Sequence, residues 1–210
     1  MGEWFVDDEW NELLEKAGIH SFRDALLFSQ GKLLSNKSHS RTWLFQLNNF
    51  RFFIKQDTST RIRATLRSLI RFTRPVAATQ KERAKMARLE SMGFNMAQII
   101  AYGSESRFGL PHTGVIITLP VPGRSIAELW KDPTVSSERR REVKAIGLKT
   151  LQSLQQHGCD WKKDCKPEHF FVTEENEVSL IDVERMHFLR TSLSPAQCDK
   201  QRERFLKLLE

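Results

Sequence analysis

The chain has 210 residues, 40% of them apolar, with 14 Phe and 5 Trp, enough to bury a core, which excludes a disordered polymer. A net charge of +7 points to an anionic partner, whether nucleic acid, an acidic membrane or a phosphorylated substrate, without choosing among them. Cys159, Cys165 and Cys198 show no CxxC or Cys/His spacing, so neither a zinc site nor a disulfide framework is expected, and a reducing cytosol is the expected compartment. The opening MGEWFVDDEW is acidic and lacks an apolar run, so it does not read as a signal peptide. Val6 stands where a myristoylation motif wants Ser or Thr. No stretch approaches the ~18 apolar residues of a membrane span, so a soluble or peripheral protein is expected.

In chain order, Trp10, Leu13, Leu14 and Ala17 recur at helical spacing, and Gly18 follows as a stop, so Glu9–Ala17 is predicted as a short amphipathic helix. Thr42–Leu47 and Phe50–Gln56 are aromatic-rich runs separated by Asn48-Asn49. Asn tolerates positive φ, so the pair predicts a two-residue hairpin. Arg61–Arg74 interleaves five Arg with apolar residues, the pattern of a basic amphipathic helix, and Pro75 breaks it. Thr79–Met92 is the clearest helix: Thr79 and Glu82 fit a capping box, and Gly93 is a C-terminal stop. Ala97–Gly103 and Gly114–Leu119 read as strands. The Pro/Gly break Leu119–Gly123 (LPVPG) then divides an N-terminal lobe, residues 1–120, from a C-terminal helical lobe, residues 121–210. Ser125–Trp130 and Ser136–His157 are predicted helices. Phe170–Val172 and Val178–Ile181 are short strands, and Ser194–Leu209 is a closing helix with Pro195 in its first turn.

The residues able to do chemistry fall in three places. Lys55 ends an apolar strand whose alternation puts Phe53 and Lys55 on one face and Phe52 and Ile54 on the other. A solvated strand-end Lys is the ordinary outcome; the functional one is a Lys that reaches the phosphates of ATP and is held by a carboxylate. Glu82, early in the next strong helix, is the best such carboxylate, although the capping box competes for it, and Glu90 in the same helix is the alternate. Phosphoryl transfer further needs a carboxylate to orient the attacking hydroxyl, a cation on the phosphates and Mg²⁺ ligands. The stretch KKDCKPEHFFV, with LID ten residues on, supplies them in order: Asp164 to orient the hydroxyl, Lys166 to steady the phosphoryl group, and His169 where protein kinases carry a metal-binding Asn. Asp182 would hold Mg²⁺. A mostly-β half with one main helix, followed by a mostly-α half with an inserted ribbon, is the order of a two-lobed, protein-kinase-like α+β fold.

DCKPEHFFV together with LIDVERMHF resembles the lipopolysaccharide-core kinase family, of the Kdo/WaaP type, over roughly residues 30–190. That family has Asp-Cys followed by His-Phe, as at Asp164-Cys165 and His169-Phe170, and Ile-Asp with a nearby Arg, as at Ile181-Asp182 and Arg185. Lys55 and Lys81-Glu82 match its strand Lys and helix-opening Lys-Glu. The resemblance implies ATP- and Mg²⁺-dependent phosphorylation of a heptose or Kdo hydroxyl in the lipopolysaccharide inner core. The expected place is the cytoplasmic face of the inner membrane, with Arg61–Arg74 meeting anionic lipid or sugar phosphates at about 1 kcal/mol per charge.

Departures from the kinase pattern are specific. Lys162-Lys163 precede Asp164 where protein kinases place His-Arg, and Val183-Glu184 follow Asp182 in place of Phe-Gly. No Gly-rich loop precedes Thr42, and Ser35–Ser40 is the segment left to meet phosphates. A kinase of another small molecule or of a protein, or a pseudokinase acting as a binding module, are the alternative readings. Nothing in the chain matches a base-stacking pattern or nucleic-acid motif, so no nucleic-acid partner is expected.

Overall fold

Asn48 adopts φ 54°, and the turn it makes joins strand β3 (Ser40–Leu47) to β4 (Phe50–Asp57) with Leu47 opposite Phe50. The hairpin is the one the Asn-Asn pair predicts. The structure, a computed structural model, describes residues 3–59, 66, 70, 76–107 and 110–210, without the side chains of 107 and 110–112. The predicted basic helix over Arg61–Arg74 lies outside the described residues, 66 and 70 apart. The chain forms two compact units, residues 1–84 with 98–120 and residues 85–97 with 121–210, so the segment 85–97 groups with the second.

The first unit is built on an antiparallel sheet of six strands. They are β1 (Glu3–Val6), β2 (Lys32–Lys37), β3, β4, β6 (Ile99–Arg107) and β7 (Leu110–Thr118), in the order β1-β6-β7-β4-β3-β2. Along β4 the period of two buries Phe52, Ile54 and Gln56, leaving Phe53 and Lys55 on the other face. Helices α1 (Asp8–Lys16) and α2 (Phe22–Leu27) supply Trp10, Leu14 and Ala25 to a core shared with Phe45, Phe52, Ile54, Ile100 and Ile117. Trp10 meets Phe52 edge-on at 5.8 Å and Phe45 stacks on Phe52 at 4.8 Å, a preferred pair of aromatic geometries. Buried Gln56 is satisfied by donating to the Ala25 and Phe28 carbonyls and accepting from Trp43 Nε1, which ties α2 to the sheet.

β1 and β2 were not predicted. β2 spells KLLSNK, whose polar and apolar residues do not alternate, and its turn at Ser38-His39 carries no glycine. The stretch Ser35–Ser40, expected as a phosphate-meeting loop, is therefore the end of a β-hairpin. Its tip is fastened from below: Thr58 N–H donates to the His39 carbonyl, and the His39 ring nitrogen lies 2.7 Å from Ser59 Oγ.

Helix α3 spans Ala78–Ser91 and begins one residue before Thr79, which removes Thr79 from the capping position. Asp57, at the end of β4, accepts from the Thr79 N–H at 2.8 Å, and the Gln80 side chain accepts from Ala77 N–H. The predicted capping box is corrected accordingly, and Glu82 is released from it. At the far end Gly93 takes φ 86° while Phe94 N–H reaches back to the Leu89 carbonyl, the closing turn its position implied.

The second unit holds a four-stranded sheet, β5-β11-β10-β8, made of Asn95–Met96, Val178–Leu180, Phe170–Val172 and Arg124–Ser125. Three helices accompany it: α4 (Ile126–Lys131), α5 (Ser137–Gln156) and α6 (Pro195–Lys207). Capping boxes start α4 (Ser125 with Glu128) and α6 (Ser194 with Gln197). Phe205 of α6 meets Phe170 edge-on at 5.1 Å, and Gly147 of α5 leaves room for both Phe205 and Ile126. A two-stranded ribbon of β9 (Cys159–Asp160) and β12 (His187–Phe188) completes the unit. No helix among the described residues is long and apolar enough to cross a membrane.

Gly123, in the LPVPG break, has φ 83°, and a Cβ there would stand 2.3 Å from the Val172 carbonyl oxygen. Gly123→Ala must therefore both strain its own backbone and push a strand, at a cost of about 2 kcal/mol or more. Gly18, also at positive φ but facing open space, should lose only the backbone part on the same change. Thermal melts of the two variants should rank Gly123→Ala clearly below Gly18→Ala.

Candidate functional site

In the first unit, Lys55 projects from β4 and its Nζ meets Glu82 Oε2 of α3 at 2.5 Å. Both side chains are largely buried, 21% and 11% exposed, so the pair is shielded and stronger than a surface one. The bond between Asp57 and the Thr79 N–H fixes the start of α3 against β4, and that register brings Glu82 to Lys55. Glu90, the alternate partner, instead lies in the second unit, where burial raises its pKa above the ordinary value.

In the second unit Asp164, Lys166, His169 and Asp182 come together around Trp161. Trp161 is fully buried; its indole N–H donates to the Asp182 carbonyl at 3.3 Å, and its ring lies 5.5 Å from His169 and 5.4 Å from Phe170. A 3₁₀ turn, Lys162–Asp164, presents Asp164, and a second, Pro167–His169, turns His169 inward. Asp182 follows β11 in a left-handed conformation, φ 52° and ψ 53°, which an Asp tolerates better than most residues. Strained backbone of this kind clusters at functional sites.

Asp164 is 14% exposed and carries two cations: Arg185 Nε stands 3.1 Å from one carboxylate oxygen and Lys166 Nζ 3.9 Å from the other. The Asp182 carboxylate is 55% exposed, and its Oδ2 is 3.7 Å from His169 Nε2, too far for a hydrogen bond. His169 is buried, and burial lowers its pKa against the opposing pull of Asp182, so the ring is neutral near pH 7. Its Nδ1 has no hydrogen-bond partner among the described residues. Arg185, Trp161 and a buried Asp160 are the site residues that sequence reasoning did not place. Arg185 entered only as part of a family motif, and the bonds of Trp161 and Asp160 cross 21 and 41 residues, a separation no local pattern reports.

Asp182 fits a Mg²⁺ ion, which prefers carboxylate, phosphate and water oxygens. The neutral ring of His169 beside it fits as a neighbour, although its nitrogen is a softer donor than Mg²⁺ usually takes. Among the described residues no group of three or more His, Cys, Asp or Glu could hold a metal alone. Cys165, between Asp164 and Lys166, is no nucleophile: burial pushes its thiol up to about 12, and burial pushes Cys159 up to about 11.

Two measurements check this electrostatic picture. His169 binds its proton less readily folded than unfolded, so the unfolded state takes up more protons on acidification. Its stabilising contribution is present above about pH 6.5 and is lost as pH falls below that. Denaturant melts should show the protein weakening from pH 7 to 5, and His169→Asn should flatten that limb, leaving the part due to His187, which burial shifts the same way. At pH 8 iodoacetamide should leave Cys159 and Cys165 unmodified in the folded protein and alkylate both in urea, as read by mass spectrometry.

The model of the Lipopolysaccharide kinase (Kdo/WaaP) family matches residues 27–201. The lipopolysaccharide core heptose(I) kinase WaaP of Escherichia coli is 25% identical over 183 residues, covering 81% of this chain and 68% of that protein. Among solved structures, WaaP in complex with acyl carrier protein superposes with a TM-score of 0.67 at 16% identity, covering 97% of this chain and 80% of that one. That likeness establishes the fold, α+β and kinase-like. With five-sixths of its length under the family model, the chain belongs to the Lipopolysaccharide kinase (Kdo/WaaP) family, a family of phosphotransferases.

Proposed function

We propose that the protein transfers the γ-phosphoryl group of ATP to a heptose or Kdo hydroxyl of the lipopolysaccharide inner core, working at the cytoplasmic face of the inner membrane. The observation that carries the reading is the convergence of Asp164, Lys166, His169 and Asp182 around one buried Trp161. The shielded Lys55–Glu82 pair supports it, since a carboxylate-held Lys is what a kinase uses to grip nucleotide phosphates. These features favour an active enzyme over a pseudokinase, whose fold would not require such buried charge.

In this reading Asp164 accepts the proton of the acceptor hydroxyl while the new O–P bond forms. The bond from the γ-phosphorus to the bridging oxygen breaks, and ADP leaves with that oxygen's electron pair. Arg185 and Lys166 keep Asp164 oriented, and Lys166 is the cation for the phosphoryl group in transit. Lys55 binds ATP phosphates and Glu82 holds Lys55 extended. Asp182, with His169 beside it, would hold Mg²⁺, which when bound neutralises phosphate charge.

ADP release from ATP and Mg²⁺, with dephosphorylated inner core as acceptor, tests the proposal. Asp164→Ala should cut acceptor-dependent turnover by about 10²–10⁴-fold. Lys55→Met and Glu82→Gln should each weaken kcat/KM for ATP by more than about tenfold, an amount equal to roughly 1.4 kcal/mol of lost transition-state binding. Full turnover in Asp164→Ala would remove the assignment. Absence of both turnover and ATP-induced thermal stabilisation in the wild type would favour the pseudokinase.

A further inference from the structure

Asp160 is a buried carboxylate that the proposed chemistry does not use. It is 5% exposed and has no ion pair among the described residues. An unpaired buried carboxylate is costly and persists where hydrogen bonds hold it. Its Oδ1 accepts two: the backbone N–H of Lys162 at 2.9 Å and the side-chain amide of Gln201 at 2.7 Å. Lys162 is a non-glycine residue at φ 49°, a conformation that costs about 1–2 kcal/mol for a long side chain. The bond from its N–H to Asp160 holds that conformation, and Lys162 opens the 3₁₀ turn that ends at Asp164.

Gln201 lies on α6, the last helix, and is itself buried and fixed. Its Oε1 accepts from Gln155 of α5 at 3.4 Å, and Gln155 also donates to the Cys198 carbonyl. One turn further on, Phe205 packs on Phe170 and against the notch at Gly147. An unbroken chain of contacts thus runs from the body of α6 through Gln201, Asp160 and the Lys162 N–H to the turn that presents Asp164.

We propose that Asp160 and Gln201 are positioning residues for Asp164, and that α6 acts as the gauge that sets the catalytic turn. The inference rests on the reading of Asp164 as the proton acceptor. Shifting a reacting group by about 1 Å can cost on the order of 10² in rate without altering how substrate is bound.

The test uses the full chain carrying Asp160→Ala, Asp160→Asn, Gln201→Leu or Gln201→Glu, at a temperature where every variant is folded. Asn keeps an oxygen that accepts both bonds, whereas Gln201→Glu places a second carboxylate against Asp160. Asp160→Ala and Gln201→Glu should lower kcat by about 10²-fold and Gln201→Leu by about tenfold, with KM for ATP unchanged, while Asp160→Asn should stay within about threefold of wild type. Amide hydrogen exchange across 161–164 should rise in the three impaired variants and not in Asp160→Asn, with peptides of β3 and β4 unchanged. Wild-type kcat in Asp160→Ala, loss in KM alone, or exchange that rises throughout the second unit would overturn the proposal. Should the wild type turn over no core acceptor, the functional reading fails by itself and exchange decides alone: a rise confined to 161–164 sustains the positioning role, and its absence ends it.

Discussion

The indole N–H of Trp161, donated to the Asp182 carbonyl, is the interaction on which the candidate site depends. It joins two loops that are 21 residues apart in sequence and carry Asp164 and Asp182. Neither loop has a long regular element of its own: each is a 3₁₀ turn at the end of a two- or three-residue strand. Short strands contribute little by themselves, so geometry here comes from burial of one large side chain. Trp161 brings an apolar ring to His169 and Phe170 and a single donor to a backbone acceptor, which suits a residue with one polar handle.

The first unit solves a related problem with charge. Asp57 spends its carboxylate on the Thr79 N–H, near the positive end of α3, where an anion is favoured. Once that register is set, the next turn of the helix delivers Glu82 to Lys55. Two acids on neighbouring elements thus divide two roles that would otherwise compete, one starting the helix and one holding the lysine.

Much of this was legible in the residues where local chemistry decides structure. Asn48-Asn49 can turn a chain, Gly93 can close a helix, and Phe52, Ile54 and Lys55 alternate, so the hairpin, the end of α3 and the facing of Lys55 followed from sequence. The spacing of Asp164, Lys166, His169 and Asp182 reads in the sequence as the parts that phosphoryl transfer uses, and the fold sets Lys166 3.9 Å from Asp164 and His169 3.7 Å from Asp182. What could not be read were decisions made by distant partners. Thr79 and Glu82 have the form of a capping box, but Asp57, from another element, takes the amide instead. β2 has no alternating pattern and exists because β3 offers it a pairing edge. Asp160 resembles any polar residue before a lysine pair until Gln201, 41 positions on, is folded against it.

The left-handed backbone at Asp182 governs how mutations there can be understood. Two properties coincide in one residue: a half-exposed carboxylate and a φ of 52°. Alanine removes the first and penalises the second, so a loss seen on truncation would mix altered charge with a displaced main chain and a weakened tie to Trp161. Asparagine adopts the same conformation readily and keeps the side-chain shape. Position 182 is therefore one where the customary small substitution confounds two causes, and where an amide in place of the acid separates them.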